Sequence, residues 1–259
     1  WKRFQSLVKE RPIQVCYETP GRNLIQNGMT GEILGITAHQ KGKTINVKAR
    51  KGIVLTCGGF ENNQEMIRNY LTGVPYCYTS GSPHNEGDGI TMALAVGADL
   101  WHMNNYAGPS MALKVPEYPT TFSLQALHYS KEIAGGAIVV GPDAKRFCDE
   151  KYKTRHGKVP AHGSWKALTT PCPMFLIFDH VHMSAGPIYD SHPSHGWTQI
   201  VVQYSWSGDN SVELEKGWIK RGKTVADLAS NIGLDPSTLE ATVGHWNKDA
   251  GSGKDTEFG

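Results

Sequence analysis

The sequence predicts an α/β region over residues 1–103 followed by an α+β, loop-rich region over residues 104–259. Three observations predict it. A continuous apolar run closes on a glycine turn and hands over to a helical pattern, and a second glycine turn opens a second helix. Beyond them, nine prolines between Asn104 and Gly208 cut the chain into short pieces, until helix grammar returns near Thr224.

Taken in order, Ile13 to Thr19 (IQVCYET) alternates apolar and polar residues and predicts a strand. Gly31 to His39 (GEILGITAH) and Thr44 to Ala49 (TINVKA) alternate more weakly, separated by Gln40, Lys41 and Gly42, so the first sixty residues read as β structure. Gly52 to Thr56 (GIVLT) is continuously apolar, the mark of a strand covered on both faces as in a parallel sheet. Cys57, Gly58, Gly59 and Phe60 cut it off. Glu61 to Leu71 then has helical spacing, with Met66, Ile67, Tyr70 and Leu71 on one side and Asn62 and Asn63 suited to cap its start. The turn Asn85-Glu86-Gly87-Asp88-Gly89 opens a helix on which Ile90, Ala93, Leu94 and Gly97 share a face. Its small residues let a backbone or a ligand approach more closely than a Cβ would allow.

Further along, Gly136 to Val140 and Phe175 to Asp179 read as strands. Thr224 caps a helix with Asp227 three residues on and a stripe of Val225, Leu228, Ala229 and Ile232, and Gly233 ends it. Asp235-Pro236 restarts a helix by the N-cap and N1 rule, with Leu239, Val243 and Trp246 as its buried side.

The 259 residues, 39% of them apolar, suffice to bury a core. Lys+Arg 26 against Asp+Glu 24 leave a formal charge of +2 with no basic run, which gives no electrostatic footprint for nucleic acid. No apolar stretch approaches the roughly 18 residues that span a bilayer. Five cysteines, at 16, 57, 77, 148 and 172, are odd in number and lack CxxC spacing. They fit neither a disulfide framework nor a zinc site and are expected as buried free thiols.

Four segments carry a resemblance. KARKGIVLTCGGFENNQEMIRNYL (48–71), HNEGDGITMALAVGADL (84–100), GGAIVVGPDAKRFCDE (135–150) and the stretch from Gly217 to Gly259 together resemble the fumarate reductase and succinate dehydrogenase flavoprotein superfamily, in its soluble single-chain branch. They occur in the right order over nearly the whole chain. The resemblance implies FAD as cofactor and a chain made of part of a Rossmann-like FAD-binding domain, 1–103, followed by a substrate-capping domain, 104–259. Carried over residue by residue, it nominates Thr56, Gly58, Gly59, Gly87, Asp88 and Gly89 as cofactor-binding, and Val15 through a strand-backbone contact to adenine. Amides at a helix N-terminus suit anionic oxygens, and glycine lets the main chain come close.

No GxGxxG occurs in the sequence. In the family that fingerprint lies near the N-terminus and holds the pyrophosphate, and a segment after the cap packs on the flavin ring. The resemblance thus implies an internal fragment of a full-length parent that binds FAD, the fragment alone binding it weakly or not at all.

Family reductases transfer a hydride between flavin N5 and one carbon of a polarised double bond and add a proton to the other. An arginine shortly after the "arg-phe-x-x-glu" hairpin is the proton donor in the fumarate branch, and Arg155 falls near that place with one extra residue between. Arginine is an unusual acid, with a pKa above about 12. Tyr152 and His156 are easier acids in the same loop. Two departures argue against fumarate itself. Where the fumarate branch has a His-Pro pair this chain has Ala107-Gly108-Pro109-Ser110, and Ser130 and Ile133 replace a relay Glu and Arg. With Trp101, Tyr106, Tyr118, Phe122 and Tyr129 nearby, a larger or less charged small-molecule enoyl substrate is expected, such as a ketosteroid or an aromatic acrylate. An electron-donor protein or domain is a further expected partner. A ketosteroid-type dehydrogenase and a non-catalytic substrate- or protein-binding cap module are the alternatives. The histidines at 180, 182, 192 and 195 form HVH and HPSH pairs; on a strand, HVH would point both rings to one face, but no acidic or thiol partner stands at ligand spacing, and no metal site is expected.

Overall fold

The structure is a computed structural model and describes residues 2–74, 76–79, 81–104, 111–124, 136–150, 158–189 and 204–258. It mixes helices with short antiparallel sheets. The first half contains α1 (Lys2–Lys9), β1 (Gly21–Gln26), β2 (Ile33–Gln40), β3 (Lys43–Lys48), α2 (Gln64–Tyr70), α3 (Asp88–Leu94), β4 (Ala112–Leu113) and β5 (Phe122–Ser123). The second contains β6 (Ala137–Val140), β7 (Lys158–Ala161), β8 (Ser164–Ala167), β9 (Phe175–Phe178), α4 (His180–Ser184), α5 (Ser211–Glu215), α6 (Val225–Ile232) and α7 (Pro236–Ser252). The chain divides into two compact units, residues 1–59 with 87–101, and residues 60–86 with 102–259.

In the first unit β1, β2 and β3 form an antiparallel meander, with Leu24 opposite Ile36 and Ile36 opposite Val47. The β2–β3 connection is Lys41 and Gly42 at φ 47° and 76°, both left-handed, as a two-residue type I′ turn requires. Alternation predicted β2 and β3 but not β1, whose two apolar residues, Leu24 and Ile25, are adjacent and show no period. The helix α1 was also not predicted; Phe4, Leu7 and Val8 have helical spacing, but none of its residues is buried and Phe4 is 68% exposed.

Two predicted strands are absent. Residues 13–16 and 52–60 run without a ladder partner among the described residues, and Val15 and Val54 are 49% and 85% exposed. Apolar and β-branched residues favour an extended backbone, but a strand exists only where a neighbouring backbone completes its hydrogen bonds. The helix α3 packs on β1, burying Gly89 and Met92, and the Gln26 amide donates to the Val96 carbonyl at 3.1 Å.

In the second unit α2 occupies the predicted helix, capped by Asn63, whose side chain accepts from the Met66 N–H at 3.0 Å. Its buried residue, Ile67, clusters with Leu71 and Val74, which follow the helix. The predicted strands β6 and β9 pair antiparallel, Ile138 opposite Ile177 and Val139 opposite Leu176. Alternate residues serve opposite faces of this two-stranded sheet. Ile138 and Val140 pack with Ala229, Leu234 and Leu239 of the α6–α7 hairpin, while Val139 packs with Met111, Leu124, Ile188 and Ile219. Both tail helices carry the predicted caps: Thr224 accepts from the Asp227 N–H at 3.0 Å and Asp235 from the Thr238 N–H at 2.8 Å, with Gly233 left-handed between them.

Of the five cysteines only Cys148 is buried; Cys16, Cys57 and Cys172 are exposed and Cys77 is intermediate, which corrects the expectation of five buried thiols. Among the described residues no helix is long and apolar enough to cross a membrane.

Candidate cofactor-binding site and the hairpin of the second unit

Two glycine turns, twenty-eight positions apart in the sequence, meet in the first unit: the Gly87 N–H donates to the Gly59 carbonyl at 2.9 Å. Both turns need residues without a Cβ. Gly58 has φ +82° and Gly87, the N-cap of α3, has φ +88°, a region costly for L side chains. Between the 55–58 segment and α3 lies an open cleft of about 250 Å³. Gly58 and Gly89 line it together with Leu55, Ile90, Ala93 and Asp99. A Cβ on Gly89 would sit 3.6 Å from the Cys57 Sγ and 3.7 Å from the Leu55 Cβ, narrowing the gap that glycine leaves open.

Of the nominated cofactor residues, Gly58 and Gly89 line the cleft and Gly59 and Gly87 fasten its two walls. Asp88 is exposed in the first turn of α3. Thr56 is exposed beside the cleft, and neither it nor Val15 is among the lining residues. Ile90, Ala93 and Leu94, which the sequence places on one helix face, line the cleft together, and Met92 takes the buried position. Cys57 and Asp99 were missed as lining residues, and only the folded turn brings them there.

The lining decides what the cleft can hold. It contains apolar side chains and the Asp99 carboxylate, but no Lys, Arg or His. A pyrophosphate would meet negative charge there, whereas a neutral ring or a hydroxyl-bearing chain finds apolar walls and one carboxylate acceptor. The residues present therefore fit an uncharged part of FAD and do not fit its phosphates.

The second unit carries the "arg-phe-x-x-glu" hairpin. After β6 the chain turns through Gly141 to Ala144, and Arg146 returns to bridge Val140. The Arg146 side chain is 1% exposed and grips Glu150 (Nη2–Oε2 2.7 Å, Nε–Oε1 3.0 Å) and Asp255 (Nη2–Oδ2 2.7 Å), with Glu257 at 3.3 Å. The Phe258 ring lies 4.9 Å from the guanidinium carbon. Burial alone would lower the Arg146 pKa, but the bonds to Glu150 and Asp255 outweigh it and raise it. Hydrogen bonds from Arg146 hold the Asp255 carboxyl at about 2. Burial, with the Glu150 charge beside it, pushes the Cys148 thiol up to about 12. The nominated acids Tyr152, Arg155 and His156 lie outside the described residues, as do Tyr106, Tyr129, Ser130, Ile133, His192, His195 and the 107–110 stretch.

Phe122, expected beside a substrate, is 1% exposed at the centre of an aromatic core. The rings of Tyr118, Tyr189, Tyr204, Trp206 and Trp218 surround it at 5.4–5.9 Å. The HVH pair stands on α4 and not on a strand. Helical residues two apart point to different sides, so His182 is buried while His180 is exposed. Among the described residues no group of three His, Cys, Asp or Glu side chains is arranged to hold a metal.

The model of the FAD binding domain family matches residues 2–258. A 3-oxosteroid 1-dehydrogenase of Mycobacterium tuberculosis is 28% identical over 248 residues, covering 90% of this chain and 39% of its own length. A probable fumarate reductase of Shewanella frigidimarina is 25% identical over 233 residues, covering 88% of this chain and 33% of its own. Among solved structures, 3-ketosteroid Δ1-dehydrogenase from Sterolibacterium denitrificans, in complex with 1,4-androstadiene-3,17-dione, superimposes with a TM-score of 0.67 at 26% identity, over 98% of this chain and 43% of that one. The chain spans about two fifths of the length of the steroid dehydrogenases it matches. From the two joined glycine turns to the tail helices, the match runs through every described element, and the chain belongs to the FAD binding domain family.

Proposed function

We propose that this chain is part of an FAD-dependent oxidoreductase acting on a carbon–carbon bond next to a carbonyl or carboxylate, with residues 1–103 as part of a Rossmann-like flavin domain and residues 104–259 as the cap over the substrate. The family match over residues 2–258, with the Gly59–Gly87 hydrogen bond joining the two glycine turns, is the observation that carries this reading. When bound, FAD supplies hydride exchange at N5. This chain's residues do the rest of its share. Gly58 and Gly89 leave room for a flat or hydroxyl-bearing group, Leu55, Ile90 and Ala93 keep water from one side of it, and Asp99 accepts its hydroxyl hydrogens. Tyr152, His156 or Arg155 moves the proton to or from the second carbon.

The relatives support a cyclic ketone or enone of ketosteroid type over fumarate. The replacement of the carboxylate-binding His-Pro pair by Ala107-Gly108-Pro109-Ser110 supports the same choice. An electron-donating or electron-accepting protein completes the cycle.

Cys57 provides a direct test, because it lines the cleft and is exposed. In the protein expressed from the full reading frame that contains this chain, bound FAD should slow thiol labelling at Cys57 relative to the flavin-free protein and leave Cys172 unaffected; equal rates with and without bound flavin overturn the cleft as a flavin contact. For substrate class, the protein expressed from the full reading frame that contains this chain should dehydrogenate ketosteroids with an artificial acceptor, or reduce steroid enones with reduced viologen, faster than it reduces fumarate. Preference for fumarate overturns the substrate assignment.

A further inference from the structure

We propose that residues 52–56 are a docking strand, whose backbone edges and outer face receive extended apolar segments of the same polypeptide from outside these 259 residues. The proposal rests on the reading of residues 1–103 as part of a larger flavin domain, and it names where the rest of that domain joins.

Three observations define the surface. Among the described residues, no N–H or carbonyl of residues 52–58 takes part in a backbone hydrogen bond. Burial nonetheless alternates along the segment as it does in a strand. Ile53 and Leu55 are half-buried, with the Leu55 Cβ 3.7 Å from where a Cβ on Gly89 of α3 would stand, while Val54 is 85% exposed and Thr56 is exposed. Finally, nothing in the same unit is available to pair with it, since β1, β2 and β3 pair only with one another. Ile13, Val15 and Tyr17 of that unit are also about half exposed or more, so the uncovered apolar surface extends beyond one side chain.

The pattern selects the occupant. Water can satisfy a free backbone, but covering apolar surface gains about 25 cal/mol per Å², and an unpaired edge is a template for another strand. Ile53, Val54 and Leu55 are consecutive, so both faces of the segment are apolar. That matches a strand inside a parallel sheet with both faces covered, whereas an antiparallel edge keeps one polar face. A second copy meeting this edge about a two-fold axis would run antiparallel to it, against the pattern. Strands from the same polypeptide carry no such restriction. In a protein of the length of the steroid dehydrogenases, of which this chain spans 39–43%, more than its own length remains to supply them.

The experiment uses the protein expressed from the full reading frame that contains this chain. Hydrogen exchange should find the amides of residues 53–56 protected at least about 100-fold relative to an unstructured peptide. Exchange at the unstructured rate overturns the docking strand. A benzophenone amino acid in place of Val54 should cross-link, on irradiation, to residues of the same polypeptide outside this stretch. Cross-links confined to the stretch overturn the occupant, and a covalent dimer overturns it in favour of a second copy. Val54→Asp should lower the thermal midpoint by about 5 °C or more, and an unchanged midpoint overturns coverage of the outer face. If Val54→Asp fails to fold, exchange in the wild type still decides. A protein that binds no flavin and turns over no ketone or enone defeats the functional reading instead, and exchange and cross-linking read the docking strand independently.

Discussion

Arg146 and Asp255 stand 109 positions apart in the chain and meet at 2.7 Å. The contact joins the hairpin after β6 to the turn after α7, and its energetics depend on pH in a direction that can be worked out. The carboxyl of Asp255 is held at about 2 by Arg146, below the ordinary aspartate value. A carboxyl depressed on folding contributes stability that is fully present above its unfolded pKa and is lost as pH falls through the folded one. Wild-type stability should therefore decline between about pH 4 and pH 2, with about 1–2 kcal/mol of the decline due to this pair once solvent screening is allowed for. Asp255→Asn should be less stable at neutral pH and show a shallower acid decline. Urea unfolding at a series of pH values reads both, and parallel curves for the two proteins would refute the prediction.

Asn210 is fully buried at φ 62°, and its amide is completely used. Its Oδ1 accepts from the Ile188 N–H and the Trp206 indole, each at 2.9 Å, while its Nδ2 donates to the carbonyls of Met183 and Gly186 at 3.0 and 2.8 Å. Asn210→Asp keeps the shape and the tolerance of a left-handed backbone but turns a buried donor into a carboxylate oxygen facing two carbonyls. The expected cost is about 3 kcal/mol or more at neutral pH. Because the protonated acid can still donate once, and burial against two carbonyls raises the folded-state pKa of the introduced carboxyl, the penalty should shrink as pH falls toward about 4 and stay level below it. Thermal unfolding of the two proteins at neutral and acidic pH measures it.

Glycines in the meander separate into those that packing requires and those it does not. A Cβ on Gly35 would run into the Val47 carbonyl oxygen across the β2–β3 ladder, where only backbone could yield. Gly28 has nothing within 4 Å of its virtual Cβ. Gly35→Ala should cost about 1–3 kcal/mol, while Gly28→Ala should change stability by less than about 0.5 kcal/mol. Denaturant midpoints decide between them, and equal effects would show that the meander does not pack as described.

Thiol labelling should sort the cysteines by burial. Cys16, Cys57 and Cys172 are exposed and should react with a maleimide in the native protein. Cys148 is buried, with its thiol pushed up to about 12, and should react only after unfolding. Peptide mapping after a short native pulse reads the order.

Much of this was legible in local sequence. Helix caps at Asn63, Thr224 and Asp235 are short-range events, in which a side-chain oxygen meets an N–H three residues on, and all three formed where their residues predicted. The alternating strands β2 and β3 and the apolar strands β6 and β9 were also readable, because their periodicity matches a ladder the fold supplies. Residues 13–19 and 52–56 carry an equally strong β pattern and are not strands, since no adjacent backbone among the described residues completes them.

The sequence by itself determined which segments prefer helix or extended backbone, which turns must be glycine, and, through four collinear segments, the family. Tertiary structure alone decided the rest, because it depends on contacts between residues far apart in the chain. Gly59 meets Gly87 and leaves a cleft whose lining, with Asp99 and no cation, suits an uncharged part of a flavin. Phe122 sits among five rings in a core instead of beside a substrate. Arg146, read as one letter of a hairpin motif, holds carboxylates from two ends of the second unit, a role that local patterning cannot encode because Asp255 and Glu257 reach it only through the packing of α7 on the sheet.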